Sequence, residues 1–357
     1  MDLNLEKSTP LVQTGNKPPG QDILALWLGI AFSFLFTGAI WLTGFSLQGF
    51  PHLPQPANDP SWYFWKLPTP TPITEFTAWG GYALQQLFCW GVIWYAQTHV
   101  KKYTTTLHAI NKVALLGNAL FILLHWLQTH LWYDGLAANV SVFSSQGSVI
   151  VLLVWVLLME NNRRGLFFGK KVPFQQRVVQ FARKYHGYFF SWAIVYTFWY
   201  HPMENTPGHL IGFLYMFLLM LQSSLFFTRI HLNKYWTFTQ EILVLFHGTL
   251  VALMQAHGLW PMFFFGFAAI FVLTQMHGLN LKSWMKWGLT LLLALGAVIV
   301  YSGRGVSHLW EIGAIPLIDY PAVLILFLLL GLIVWITGWR RPQGDKEKQA
   351  QVASARR

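Results

Sequence analysis

The placement of lysine and arginine between apolar segments constrains this chain more than any other feature of its sequence. Apolar runs recur along the chain, and at about 20 residues each run is long enough to cross ~30 Å of hydrocarbon as a helix. Only 10% of the residues are charged, whereas a soluble domain carries about 25%. The sequence therefore predicts an all-α, polytopic integral membrane protein.

The apolar runs predict a bundle of about ten transmembrane helices. If both termini are cytoplasmic, 22 of the 24 lysine and arginine residues fall in inner segments, and the outer segments hold only Lys66 and Arg304. Because lysine and arginine are retained on the cytoplasmic side during insertion, this asymmetry supports the number of spans and an N-in/C-in topology. The predicted spans are 23–45, 78–98, 107–131, 147–159, 186–200, 208–228, 237–258, 261–281, 284–301 and 320–339.

The chain divides into one membrane domain and two polar tails. Residues 1–22 are predicted to be a disordered cytoplasmic tail, residues 23–339 the transmembrane helical domain, and residues 340–357 a basic cytoplasmic tail. The first apolar run has full membrane length and lacks a small-residue cleavage site, so it is not expected to be a signal peptide. Two loops stand out in the domain, a proline- and aromatic-rich outer loop at 46–77 and a basic cytoplasmic loop at 160–185.

The net charge of +11 indicates a membrane surface as partner and no nucleic acid. The positive residues lie in the short cytoplasmic loops and in the tail, where they would contact anionic lipid headgroups of the bilayer. The segment Val172–Tyr185 interleaves apolar and basic residues and predicts either a short interfacial helix or a plain basic loop. The single cysteine, Cys89, excludes a disulfide framework.

A few polar residues lie inside the predicted spans, and such residues are functional candidates because they are costly in hydrocarbon. Gln222 lies in span 6, His247 near the midpoint of span 7, and His277 towards the inner end of span 8. Glu241 lies about one turn inside span 7, and two interpretations stay open for it. It either forms an ion pair with Arg229 or acts as a proton-relay carboxylate.

Other polar residues are expected to have structural roles. The amides of Gln85, Gln86 and Asn118 are predicted to join neighbouring helices by hydrogen bonds. Spans 1, 4, 9 and 10 contain little beyond hydroxyl groups near the bilayer centre, so they are predicted to be a lipid-facing scaffold around the polar spans.

The connection WYHPMENTPGHL between spans 5 and 6 contains two histidines and a glutamate. Pro202 is expected to end span 5, because the residue before a proline is pushed away from helical geometry. Thr206 followed by Pro207 is typical of a helix start, with a capping residue and then a proline at the first helical position. His209 then falls in the first turn, where the helix dipole favours a neutral imidazole.

Neutral histidines with a nearby carboxylate are typical of metal ligands and of acid–base catalysts. His201, Glu204, His209 and His257 are the candidate ligands of a divalent metal at the outer face. His209, Glu204 and His247 are the candidate catalytic residues, with Glu204 as the acid or base. Helix caps and interfacial histidines would also explain the same pattern.

Haem b is the second cofactor that would place histidines in membrane helices. His125 and His201 are the candidate haem ligands, because both are predicted to lie near the outer ends of their spans. His186 and His201 are 15 residues apart on span 5, but the matching pair on span 3 is out of register, so two stacked haems are not expected.

Three classes of function stay open at the level of sequence. The first is a membrane-embedded enzyme that acts on a lipid or another apolar substrate at the histidine-rich site. The second is a transporter of a small solute or metal ion, with His247, Gln222 and Glu241 along its path. The third is a non-catalytic assembly factor of a membrane complex. Motifs of nucleotide-binding loops, serine hydrolases and histidine-box desaturases are missing from the sequence.

Overall fold

A computed structural model describes residues 20–51, 66–255 and 257–340. Within these ranges the protein is all-helical, without a β-strand. The described residues form ten α-helices: α1 Gln21–Thr43, α2 Pro72–His99, α3 Ala109–Trp132, α4 Val142–Arg164, α5 Gln176–Tyr200, α6 Pro207–Ser224, α7 Lys234–Met254, α8 Trp260–Leu273, α9 Ser283–Arg304 and α10 Glu311–Ile336. The predicted disordered tail, apart from its last three residues, and nearly all of the basic tail lie outside the described residues.

Seven of these helices are long and apolar enough to cross a membrane, as expected for an integral multi-pass membrane protein. They are α1, α3, α4, α7, α8, α9 and α10, some of them extended by an adjoining 3-10 turn. The other three, α2, α5 and α6, do not meet the same criterion of length and composition.

Consecutive helices run in opposite directions, so the bundle has two distinct ends. At one end, which we call the basic end, α1, α3, α5, α7 and α9 begin. There Gln97 donates to the carbonyl of Lys184 over 2.7 Å. At the other end, the distal end, the Trp126 indole donates to Thr43 over 3.0 Å. These contacts join helices that are far apart in sequence and fix which loops share an end.

The helix boundaries correct the predicted spans in three places. Helix α4 is longer than the predicted span at 147–159, and α10 begins nine residues before the predicted start at residue 320. The predicted interfacial helix at Val172–Tyr185 is not a separate element, because its residues from Gln176 onward form the first part of α5. No proline separates the basic segment from the apolar one, and Gly187 between them is accommodated within the helix, so one helix continues through both.

Helices α5 and α6 form the centre of the bundle. Phe198, Trp199 and Phe217 are fully buried there, and they pack in one core with side chains of α2, α3 and α4. By contrast, α9 buries only Ala297 and Tyr301. A helix surrounded by other helices does not face lipid and so does not need an apolar outer surface, which explains why α5 is less apolar than α9.

Of the helices predicted to be scaffold, α9 buries few residues, whereas α4 and α10 also bury charged ones. Arg164 at the end of α4 is buried, and so are Glu311 and Asp319 of α10. Arg304 pairs with Glu311 over 3.0 Å. These charged residues lie outside the predicted spans 4, 9 and 10, which were drawn too short, so they were not considered as interior groups.

Two adjacent glycines of α2 provide a test of this packing. A Cβ on Gly81 would lie 2.1 Å from the ring of Trp199, whereas a Cβ on Gly80 would meet nothing within 4 Å. We expect Gly81→Ala to lower the free energy of unfolding by about 1–3 kcal/mol, because the buried indole cannot move aside. Gly80→Ala should leave it unchanged or raise it by up to about 1 kcal/mol. Unfolding of both variants in detergent measures the difference, and equal stabilities would contradict the packing.

Candidate functional site: a cavity at the basic end

A cavity of about 380 Å³ lies between α2, α4, α5, α6 and α7. Its lining residues Arg183 and Lys184, on the first part of α5, are only half-buried. At its other extreme the lining residues Ile194, Tyr215 and Leu219 are buried. The cavity therefore opens at the basic end of the bundle and closes near the middle.

The closed part of the cavity is apolar and the open part is polar. Leu152, Ile194 and Leu219 contribute to the apolar wall, whereas Gln222 and Glu241 contribute to the polar wall. Sites for small molecules are concave and mostly apolar, with a few polar groups that orient the ligand. The cavity has both properties, so it is suited to a molecule with an apolar body and one polar end.

Gln240 on α7 also lines the cavity. Its side chain is 6% exposed, and within the described part of the chain neither its amide nitrogen nor its amide oxygen has a hydrogen-bond partner. A buried amide without partners costs free energy. Gln240 is therefore the cavity residue with the clearest unused capacity to bind a ligand, since an amide can both donate and accept.

Two carboxylates border the cavity, and each is paired with an arginine of α4. Glu241 accepts a hydrogen bond from Arg164 at 2.6 Å, with both side chains buried. Glu160 is paired with Arg163. Because these arginines do not line the cavity and neutralise its carboxylates, the positive charge of Arg183 and Lys184 dominates the opening.

The predicted pair between Glu241 and Arg229 is wrong. Arg229 lies in the turn after α6, where its backbone amide donates to the carbonyl of Thr104 at 2.9 Å. The partner of Glu241 is Arg164 instead, which is 77 residues away. Arg229 and Glu241 were paired because only a short connection separates α6 from α7. The packing of the helices instead brings the end of α4, with Arg164, against α7.

The structure places the remaining interior candidates in different surroundings. Gln222 lines the cavity, donates to the carbonyl of His231 at 3.1 Å and accepts from Trp236 at 2.5 Å. His247 on α7 lies next to α6 at Gly212. His277, in the 3-10 turn after α8, contacts the carbonyl of Val272 at 3.2 Å and does not border the cavity.

His125 is buried at the distal end and both of its ring nitrogens have protein partners. Nε2 lies 2.9 Å from the carbonyl oxygen of His201, and Nδ1 lies 3.1 Å from the side-chain oxygen of Gln128. An axial haem ligand needs one free ring nitrogen. In this conformation neither ring nitrogen of His125 is free for a metal, and Nε2 joins α3 to the end of α5, while a role as haem ligand stays a prediction.

The predicted metal ligands meet only in part. The rings of His201 and His209 are 5.1 Å apart, and Glu204 accepts a hydrogen bond from Tyr133 at 2.5 Å. His257 lies in the turn between α7 and α8. Within the described ranges no three histidine, cysteine, aspartate or glutamate side chains are grouped so that they could hold a metal ion. The predicted metal site is therefore not supported.

The local structure of the connection between α5 and α6 is otherwise as predicted. α5 ends at Tyr200, two residues before Pro202. Thr206 caps α6 by accepting from the backbone amide of His209, and Pro207 is the first helical residue. The Thr206 hydroxyl also lies 2.8 Å from Nδ1 of His209. A catalytic role for His209, Glu204 and His247 stays a prediction.

Sequence reasoning missed several buried charged residues, among them Arg164, Glu311 and Asp319. Arg164 belongs to the basic segment 160–185, which the sequence predicts to be a cytoplasmic loop. Asp319 lies one residue before the predicted span 10, but α10 begins at Glu311 and carries Pro316 and Pro321 inside it. Asp319 could have been found from the sequence, because it is a single carboxylate between two prolines in an apolar segment. That segment begins before residue 320, where the predicted span 10 starts.

A hydrogen bond at the distal end yields a second prediction. Burial raises the pKa of Tyr133 above its usual range, and the neighbouring Glu204 raises it further, so the phenol stays protonated and donates. Tyr133→Phe removes a hydrogen bond to a carboxylate and should lower the free energy of unfolding by about 1.5–3 kcal/mol. Tyr200→Phe removes a hydrogen bond to the backbone carbonyl of Val140 and should cost only about 0.5–1.5 kcal/mol. Thermal unfolding of the two variants in detergent would contradict this ranking if Tyr200→Phe were the less stable.

Comparison of the chain with models of protein families, with curated proteins and with solved structures finds no match. The function is therefore argued from the geometry of this chain. The described part of the protein has two features of functional interest, the cavity at the basic end and the group of histidines towards the distal end. Helices α6 and α7 contribute side chains to both.

Proposed function

We propose that all ten helices cross the membrane and that both termini lie on the cytoplasmic side. At 1.5 Å per residue, the 25 residues of α5 span about 37 Å, which exceeds the ~30 Å of a hydrocarbon core. The 18 residues of α6 span about 27 Å, close to that thickness. Their central position in the bundle supports the same assignment, because α5 and α6 are packed among helices that are apolar enough to cross.

The distribution of positive charge supports the orientation. The loops at the basic end hold most of the lysine and arginine residues, and such loops are retained in the cytoplasm. The opening of the cavity then faces the cytoplasm. Arg183, Lys184 and the other basic residues of this end lie at the level of anionic lipid headgroups, which would attract them.

We further propose that the protein is a carrier for a small amphipathic organic anion. One observation carries this proposal, namely the cavity of about 380 Å³ that penetrates the bundle from one end and is closed towards the other. A cavity that reaches the middle of a membrane domain from one side is the arrangement required when access alternates between the two sides. The volume falls in the range of small-molecule sites, about 300–1,000 Å³.

The chemistry of the walls defines the solute class. The apolar wall favours an alkyl or aromatic body, and the amide of Gln240 offers a donor and an acceptor for a polar group. Arg183 and Lys184 at the opening favour a negative charge, because the carboxylates of Glu160 and Glu241 are neutralised by their arginine partners. A carboxylate, sulfonate or phosphate on a small apolar body fits this combination.

Uptake into sealed vesicles tests the proposal. Purified protein in liposomes is assayed with a panel of radiolabelled organic anions, each with an alkyl or aromatic body and one acidic group, beside neutral and cationic analogues of equal size. We expect uptake of at least one anion above that of protein-free liposomes, and no uptake of its cationic analogue. Uptake of none of the anions, or equal uptake of anion and cation, would contradict the proposal.

A further inference from the structure

Three positions of α6 lead from the distal end of the bundle to the cavity. His209, Gly212 and Tyr215 are spaced three residues apart, so each lies about one turn further along the helix and about 60° around its axis from the one before. Tyr215 lines the closed end of the cavity, and His209 lies in the first turn of α6 at the distal end. The polar side chain of His209 therefore lies beyond the closed end of the cavity, on the distal side of Tyr215.

His247 of α7 fills the gap between these two residues of α6. Its Nε2 lies 3.1 Å from the position that a Cβ would take on Gly212, so the absence of a side chain at Gly212 makes room for the imidazole. The rings of His247 and Tyr215 are 6.3 Å apart. The imidazole therefore lies beyond the closed end of the cavity, between Tyr215, which lines that end, and the first turn of α6.

His201 extends the series to the end of α5. Its ring centroid lies 5.1 Å from that of His209, and the two planes are nearly perpendicular. Burial holds the pKa of His201 well below its usual range, and the neighbouring His209, His247 and His125 lower it further. Because the neighbouring histidines affect the pKa of His201, they lie close enough to it to form one electrostatic cluster. The lowered pKa keeps His201 neutral at pH 7.

The charged and titratable groups around this cluster come from several helices. At the distal end they are His125 of α3 and Glu204, which is hydrogen-bonded to Tyr133. At the cavity the nearest carboxylate is Glu241, which is paired with Arg164. Glu204 therefore lies near the distal end of the series, whereas Arg164 balances the charge of Glu241 at the cavity end.

We propose that His201, His209 and His247 form a proton path between the cavity and the distal side, and that solute movement is coupled to proton movement along it. A neutral imidazole accepts a proton on one nitrogen and releases one from the other. One proton enters the path at one end and one leaves at the other, without any change in oxidation state. The coupling to solute rests on the proposed carrier function, whereas the path itself does not.

Proton movement is measured without any organic solute, so that its outcome is independent of the carrier assay. Liposomes containing the protein and a trapped pH-sensitive dye are given a potassium diffusion potential with valinomycin. We expect the interior to acidify faster than in protein-free liposomes. His247→Gln and His209→Gln retain a polar side chain that cannot be protonated, and each should slow the acidification by about tenfold or more, since proton transfer by a positioned group contributes at least that much.

His130→Gln is the matched control, because His130 also lies at the distal end but contacts the carbonyl of Trp126 on its own helix, at 2.8 Å. It should conduct as the unaltered protein does. Thermal unfolding and elution volume in detergent confirm that each variant is folded. Acidification no faster than in protein-free liposomes would overturn the proposal, and so would equal rates for His247→Gln, His130→Gln and the unaltered protein.

Discussion

Replacing Arg164 by methionine is expected to lower the free energy of unfolding by about 3–5 kcal/mol, because it leaves the buried carboxylate of Glu241 without its cation. The two side chains are 2.6 Å apart and 1% and 7% exposed. Within the described residues Nε and Nη2 of Arg164 have no hydrogen-bond partner, so the pair does not fully recover the cost of its own burial. The double variant Arg164→Met/Glu241→Leu should therefore regain most of the loss.

The neighbouring Arg163 provides the matched control. It pairs with Glu160, and these two side chains are 17% and 12% exposed, so water remains in contact with both charges. Arg163→Met removes this pair and the hydrogen bond from Nη1 to the carbonyl of Gly278, and it should cost about 1–2 kcal/mol because no fully buried charge is left behind. Reversible unfolding of the four proteins in the same detergent gives the comparison. If Arg164→Met were as stable as Arg163→Met, or if the double variant were no more stable than Arg164→Met, the buried pair would not exist as described.

Filling the cavity is expected to have the largest effect on transport. Ser223 of α6 lines the cavity and is only half-buried, so a tryptophan at this position projects into the open part without disturbing the core. Ser223→Trp should reduce uptake of the transported anion by about tenfold or more, since each 1.4 kcal/mol of lost binding is a factor of ten. Ser223→Ala leaves the cavity open and should transport normally.

Thr239→Trp tests whether the effect is local. Thr239 is an exposed residue of α7 next to Gln240 and does not line the cavity. A tryptophan there adds the same bulk on the outside of the bundle, so uptake should be unchanged. Uptake that persists in Ser223→Trp, or that is lost equally in Thr239→Trp, would show that the solute does not pass through the cavity.

Local features of this fold could be predicted from the sequence, because they depend on neighbouring residues. Thr206 and Pro207 predicted the start of α6, and Pro202 predicted the end of α5, since capping and proline geometry act within one helical turn. Apolar length and positive charge predicted an all-helical membrane protein. Apolar length also gave span 4 and span 10 incorrect limits. The end of a helix that contains charged residues has the composition of a loop, even when it is buried among other helices.

The site depended on contacts between distant segments, and most of it could not be predicted. Glu241 was assigned to Arg229 by proximity in sequence, whereas packing pairs it with Arg164. His125 was interpreted as a ligand, but its Nε2 contacts the backbone at the end of α5 and its Nδ1 contacts Gln128 of its own helix. His247, Gln222 and Glu241 were predicted to lie along a transport path, and of these Gln222 and Glu241 line the cavity whereas His247 does not. The sequence showed that these residues are polar positions within apolar spans. It did not show that five helices pack around a cavity beside them.

The central claim is that the cavity opens to the cytoplasm and is closed towards the other side. The most direct measurement is labelling of Ser223→Cys by a membrane-impermeant thiol reagent, in vesicles of known orientation, after the single native thiol is removed by Cys89→Ser. Thr98→Cys, at an exposed position of the basic end, and Ser46→Cys, at an exposed position of the distal end, report on the two sides. The account predicts that Ser223→Cys reacts only from the side at which Thr98→Cys reacts, and reaction from the side of Ser46→Cys alone would contradict it.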